Sequence, residues 1–246
     1  MIRLVNLFII MQSRVRQVVF MAILTPLLIL FIFSLLLSNK ERLSEFFPNI
    51  LVISYLTSCI IGFSIQFSSY NERGVFSRVL ISPLKIGYFI ISMVISQLIL
   101  VIIESCVIIV SSMLMYKLKL DINFTKITSF NNICLILGYI FSLLLIGVFI
   151  SLISKNTQVT SSISNFLNLI LLMISNIFFP ISLFPSWMEK INHVNIVYFL
   201  QQTMQATFNV GNVSYSLPSS VTIVLAYIFV FGIIDIFLFK KCIVSL

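Results

Sequence analysis

Six long apolar runs with almost no charge dominate this chain. They lie at about 18–38, 49–69, 87–115, 132–153, 161–179 and 218–239. Coiled as α-helices, each is long enough to cross about 30 Å of hydrocarbon. The runs are continuous and lack a period of two, which argues against the strands of a membrane barrel. Composition points the same way. Of 246 residues, 60% are hydrophobic and 9% charged, against roughly 45–50% and about 25% in a soluble domain. So few charges cannot coat so much apolar surface, so a soluble enzyme, a disordered chain and a soluble nucleic-acid binder are all disfavoured. The predicted class is an all-α integral membrane protein with six transmembrane helices. No repeat, low-complexity tract or linker divides residues 1–246, so one domain is expected.

The N-terminus does not read as a cleaved signal. Arg3, Arg14 and Arg16 precede an apolar run too long for a signal core, and no small-residue cleavage site follows it. Residues 1–17 read instead as an amphipathic interfacial helix. Arg3, Asn6, Ser13, Arg14 and Gln17 fall within an arc of about 100°, with Gln12 and Arg16 off it. Pro26, inside the first run, predicts a kink. The formal charge of +8 serves orientation. Of the 15 Lys and Arg, nine fall on the side of the N-terminus: Arg3, Arg14, Arg16, Arg73, Arg78, Lys85, Lys155, Lys240 and Lys241. The other six, Lys40, Arg42, Lys117, Lys119, Lys126 and Lys190, fall opposite. The positive-inside bias therefore predicts a multi-pass protein of the cell membrane with both termini cytoplasmic.

The stretch 180–217 is long for a connection and too apolar to float free. Ser186-Trp187-Met188-Glu189 has the form of a helix capping box, and a second helical piece over Val197–Phe208 follows a break near Asn192–Asn195. Two short helices here predict a segment that dips back into the outer leaflet and packs on the bundle, with Trp187, Glu189, Tyr198, Gln201 and Gln202 as its marked residues.

Chemistry-bearing residues are sparse. No G-x-x-x-x-G-K-[ST], G-x-S-x-G or H-E-x-x-H pattern occurs, so the chain is read as non-enzymatic, without its own P-loop. Cys59, Cys106, Cys134 and Cys242 form no C-x-x-C pair and read as buried small hydrophobes; with His193 the single histidine, no metal site is expected. Glu104 lies about 17 residues, or roughly 25 Å, into the third run. A carboxyl there must face the bundle or water. It reads either as a substrate or coupling contact, or as a structural group bonded to a Ser or Gln of another helix. Asp235, five residues before Lys240, reads as a local ion pair. Asn165, Asn168 and Ser175 are expected on one face of the fifth span, lining a helix or subunit interface or a substrate path.

The loop 70–86 carries the most specific pattern. It reads Asn71-Glu72-Arg73-Gly74, then Arg78, then Ser82-Pro83 just before the third run. This resembles the membrane subunits of ABC-2 type exporters, whose E-R-G and S-P elements stand at that spacing. The N-terminal helix, the six runs and the outer segment fit the same family. Asn195 departs from it, standing where the family often has proline before the tyrosine matched by Tyr198, and Met204 stands near the place of a usual arginine. The resemblance implies that Glu72, Arg73, Gly74, Arg78, Ser82 and Pro83 form a coupling loop docked on a separate ABC ATPase. ATP and Mg would be held by that partner, with no cofactor in this chain. It also implies a second permease subunit, identical or related, to enclose a path.

The expected function is thus the permease of an ATP-driven exporter of an amphipathic or lipid-like substrate, such as an antibiotic or peptide. The partners are the ATPase, the second permease and the bilayer, with no nucleic acid. Two alternatives stand beside it. One is a six-span substrate-binding subunit of an importer; the other is a stand-alone membrane immunity or sensor protein.

Overall fold

The computed structural model describes residues 2–14, 16–36, 40–116, 130–154, 156–178, 185–192, 194–208 and 217–244. The lysines at 117, 119, 126 and 155, the Phe179–Phe184 stretch and His193 lie outside them, as do the side chains of Arg14, Arg16, Ser186, Glu189 and Cys242. Among the described residues every regular element is helical. Helices α1 (Ile2–Arg14) and α2 (Arg16–Leu36) open the chain. Then come α3 (Lys40–Leu56), a π-helical turn (Thr57–Gly62) and α4 (Phe63–Glu72), which run on as one rod. A short α5 (Val75–Ile81) precedes α6 (Ile86–Tyr116), α7 (Phe130–Ile153) and α8 (Thr157–Ile174). Two short helices, α9 (Ser186–Asn192) and α10 (Ile196–Phe208), lead to α11 (Leu217–Val244).

Five helical stretches among the described residues are long and apolar enough to cross a membrane: Phe46–Glu72, Ile86–Leu114, Asn131–Ile153, Thr157–Ile174 and Pro218–Lys241. In α2 the described apolar stretch is the shorter Leu24–Phe33. The second run departs from its expected bounds, because the rod extends from 40 to 72 and carries Pro48 within it. The fifth also shifts. It begins at Thr157, where Asn156 caps it, and ends at Ile174, since Ser175 turns extended. Polar residues 157–160 hid that start in the sequence.

The α3–α4 rod is the centre of the bundle. Its most apolar window is 72% buried, against 22% for α8 and 11% for α11. The rod packs against α2, α6, α7, α8 and α10. Phe47, Ile50, Leu51, Leu56, Ile60, Phe63 and Phe67 carry the core along it. In the π turn the Phe63 N–H bonds to the Ser58 carbonyl five residues back. Hydroxyls take up neighbouring carbonyls: Thr57 Oγ1 donates to Ser54 O at 2.9 Å, and Ser64 Oγ to Ile60 O at 2.5 Å. Such turns interrupt the regular ladder at a defined place and often mark functional positions. Gly147 of α7 meets this turn. A Cβ there would lie 2.7 Å from the Cys59 carbonyl oxygen, so only glycine permits the approach. Cys59 is buried as expected. Cys106 and Cys134 depart from that expectation: both are exposed, on faces of α6 and α7 turned away from the bundle.

Aromatic rings tie one end of the bundle together. Phe76 of α5 sits edge-on to Phe89 at 5.9 Å and to Phe239 at 5.8 Å, and 4.9 Å from Phe67. Phe8 of α1 reaches Tyr70 at 5.9 Å and Phe89 at 5.0 Å. At the far end α10 is largely buried against α3 and α7, and Phe47 meets Phe208 edge-on at 5.5 Å.

Candidate functional site

The loop between α4 and α6 is built rather than merely polar. Gly74 adopts φ 65°, ψ 26°, the left-handed conformation that ends a helix and that other residues rarely enter. Its N–H bonds to Asn71 O at 3.0 Å while the Arg73 N–H returns to Ser69 O at 3.1 Å, closing α4. The same residue starts α5. Phe76 and Val79 are the buried side of α5. That leaves Arg78, Leu80 and Ile81 outward, Ile81 at 89% exposure, with Arg73 and Lys85 exposed beside them. Ser82 then stops the helix. Its hydroxyl donates to Val79 O at 2.7 Å and accepts from the Leu84 N–H at 3.3 Å, and exposed Pro83 follows. The result is a short helix anchored by Phe76 that exposes Arg78 and bare apolar side chains, flanked by exposed Arg73 and Lys85.

Glu72 does something the sequence pattern did not suggest. Its carboxylate accepts from the Thr157 N–H at 2.7 Å and from the Thr157 hydroxyl at 3.0 Å. Thr157 is the first residue of α8, and Asn156 Oδ1 accepts the Val159 N–H at 2.8 Å. An asparagine cap and a carboxylate together satisfy two of the four free N–H groups of α8, and the negative charge suits the helix N-terminus. Two further rungs follow along the same seam. Thr160 Oγ1 donates to Ser68 Oγ at 3.0 Å, and Ser64 and Ser164 hydroxyls meet at 2.6 Å. Positions 64, 68 and 72 thus face 164, 160 and 157.

This seam revises the face expected for α8. Its buried residues are Thr160, Ser164, Asn168 and Leu172, spaced by four. Asn168 and Ser175 are buried, whereas Asn165 is exposed and donates back to Ser161 O at 2.8 Å. Steps of four hold a line on the helix, while position 165 lies about 100° from 164.

Glu104 on α6 is held by the central rod. Ser54 Oγ and Ser58 Oγ each donate to one carboxylate oxygen at 2.5 Å. Gln97, two turns earlier, donates to Ser58 O at 3.2 Å, and Gln12 of α1 reaches both Gln97 Oε1 at 3.2 Å and Gln66 Oε1 at 2.5 Å. A polar chain therefore runs from α1 to Glu104 through apolar packing. It accounts for Gln12 lying off the polar face of α1. Asp235 differs from expectation: it is buried, and neither oxygen meets a hydrogen-bond donor, while Lys240 is exposed. Five residues amount to about 140° around a helix, which parts the two side chains.

In α10 Gln201 is fully buried. Its Nε2 donates to Asn176 O at 2.7 Å and Asn49 Oδ1 at 3.2 Å, pinning α10 to the middle of α3 and to the turn that follows α8. Gln202 Nε2 donates to the Tyr198 hydroxyl at 2.5 Å, and Trp187 is 61% exposed. Glu189 falls in α9, its side chain outside the described set.

The family model for ABC-2 type transporters matches residues 3–209. The chain belongs to the ABC-2 type transporter family. This ABC-2 chain is thus the membrane permease part of an ABC-type transporter, a multi-pass membrane protein whose family implies an ABC ATPase as partner. Comparison with individual curated proteins returns no match. The match covers the α5 loop, the α4–α8 seam, the Glu104 chain and α10 alike. Sequence reasoning singled out Glu72 and Glu104 and offered a Ser or Gln of another helix as one reading for Glu104, which Ser54 and Ser58 meet, but it did not point to Thr157 for Glu72. Thr157 lies 85 residues from Glu72 and Ser54 lies 50 from Glu104. Asn156-Thr157 is a cap signal that could have been found.

Proposed function

We propose that this ABC-2 permease exports an amphipathic or lipid-like substrate, an antibiotic or peptide, using ATP hydrolysed with Mg by a separate ATPase that docks on the α5 loop. The observation that carries the reading is the free side of α5. Arg78, Leu80 and Ile81 stand exposed on a helix whose other side is locked into the bundle by Phe76 and Val79, and Arg73 and Lys85 are exposed in the chain just before and after it. Charged and apolar groups mixed on a firm support suit a protein partner better than water alone. In this reading α2 is the first of six spans, α1 lies in the cytoplasmic interface, both termini are cytoplasmic, and α9 and α10 re-enter the outer leaflet. A second permease copy, identical or related, covers the exposed face of α8. There Ser162 and Asn165 stand beside Phe166 and Leu169, and polar groups at membrane depth are disfavoured against lipid. The path has no dense charge cluster, which supports an amphipathic cargo over a strongly ionic one.

Affinity purification of the tagged chain from its native membrane in mild detergent, with mass spectrometry, tests this reading. A stoichiometric ATPase carrying a Walker A sequence is expected. Preparations free of any ATPase across several detergents would overturn it and favour the importer-subunit or stand-alone readings.

A further inference from the structure

We infer that Glu72 is a positioning residue that clasps α8 to the α4–α5 corner, so that a push on α5 is delivered to α8 through the Thr157, Thr160 and Ser164 rungs. The inference rests on the exporter reading for the source of the push, and on this chain's own contacts for its route. Glu72 is the last residue of α4, two before the Gly74 turn that starts α5. Its carboxylate spans to the first turn of α8 with two bonds, at 2.7 and 3.0 Å. A carboxylate at the end of its own helix opposes that helix's dipole, and at the start of another it is favourable. The preference therefore lies with the contact to α8. Behind it the Ser68–Thr160 and Ser64–Ser164 rungs, at 3.0 and 2.6 Å, fix the register along about two turns. Beyond these rungs α8 meets the π turn, α7 and α9, and over its whole length 22% is buried. A helix joined to α4 by a polar seam, with most of its surface turned away from its own bundle, can follow α4 as a unit. Both connections at this end, 73–85 and 154–156, then move together, and the exposed face of α8 moves with them.

Motion is transmitted only if the two arrangements differ in free energy through these contacts. Breaking the clasp must therefore uncouple α8 from the ATPase without stopping hydrolysis. The test uses the permease–ATPase complex in lipid nanodiscs, its native cysteines replaced by alanine. Spin labels at Met173→Cys on α8 and Val221→Cys on α11 report the distance between the far ends of these helices. In the parent complex, trapping with ATP and vanadate is expected to shift that distance. In Glu72→Gln combined with Thr157→Val, the shift is expected to fall at least about fivefold, with ATP hydrolysis retained. A Ser68→Cys/Thr160→Cys disulfide, oxidised before labelling, is expected to restore it.

Each outcome decides something. A full shift in the clasp variant, or no restoration by the disulfide, overturns the clasp while the exporter reading stands. A disulfide at 68–160 that blocks the shift in an otherwise unaltered clasp shows a sliding seam and also overturns it. No nucleotide-dependent shift in the parent complex removes the exporter reading, and the clasp's role with it.

Discussion

Helices α7 and α8 flank the same central rod and are held to it by opposite chemistry. The α7 contact is close and apolar. Gly147 brings its backbone against the π turn, and Gly138, on the α11 side, leaves no room for a Cβ beside Val224. The α8 contact is a file of hydroxyls ending in a carboxylate. In a bilayer lipid is as apolar as leucine, so tight packing fixes α7 by shape and hydrogen bonds fix α8 by register. Shape complementarity forbids sliding, because every methyl group then meets a wall. Hydroxyl rungs are few and individually weak, and they leave most of α8 uncovered. The difference suits α7 to a framework role and, under the inferred coupling, α8 to moving with α4.

The strongest way to break this contrast is Gly147→Val. Its side chain would collide with the Cys59 carbonyl, and a loss of about 1–3 kcal/mol is expected in detergent unfolding. Unfolding like that of the parent would place the framework elsewhere. Glu104→Leu comes next. It strips Ser54 and Ser58 of their acceptor, at about 1–3 kcal/mol in the same assay. Glu104→Gln, which keeps an acceptor oxygen, should lose clearly less. Single rungs are smaller: Ser64→Ala or Thr160→Val should each lose about 0.6 kcal/mol. A double-mutant cycle on Ser68 and Thr160 should show coupling, while one on Ser64 and Thr160 should come closer to additive. The smallest effect belongs to Asn165→Ala, within about 0.5 kcal/mol, since Asn165 is exposed and bonds within its own helix. A large loss there in the isolated chain would contradict the placement of α8.

The all-helical membrane class was legible because membrane burial writes itself into long uncharged runs, and five of the six expected spans stand as long apolar helices among the described residues. The loop was legible because Gly74 and Ser82-Pro83 are local signals whose geometry depends on a few neighbouring residues. Contacts between spans were not. Asn165, Asn168 and Ser175 looked like one face by spacing alone, and the structure separates Asn165 from the buried line through Thr160, Ser164 and Asn168. Periodicity gives a direction around a helix only when the two sides differ in polarity, and α8 carries polar residues on both. Gln12 had no evident role in α1 until Gln66 and Gln97 from two other helices met it. Asp235 was paired with Lys240 by closeness along the chain, which a helix converts into separation around its axis. The start of α8 was missed because polar residues 157–160 read as loop. Of these, Thr157 and Thr160 bond to α4.

The most direct measurement on the proposed docking surface is a charge reversal, Arg73→Glu with Arg78→Glu, in the tagged permease, followed by purification in mild detergent and quantification of the ATPase that comes with it. Neither arginine anchors the fold, since both are exposed and α5 is held by Phe76 and Val79. The expected result is a permease inserted and folded like the parent but stripped of its ATPase. An ATPase retained at parental stoichiometry would contradict docking on the α5 loop.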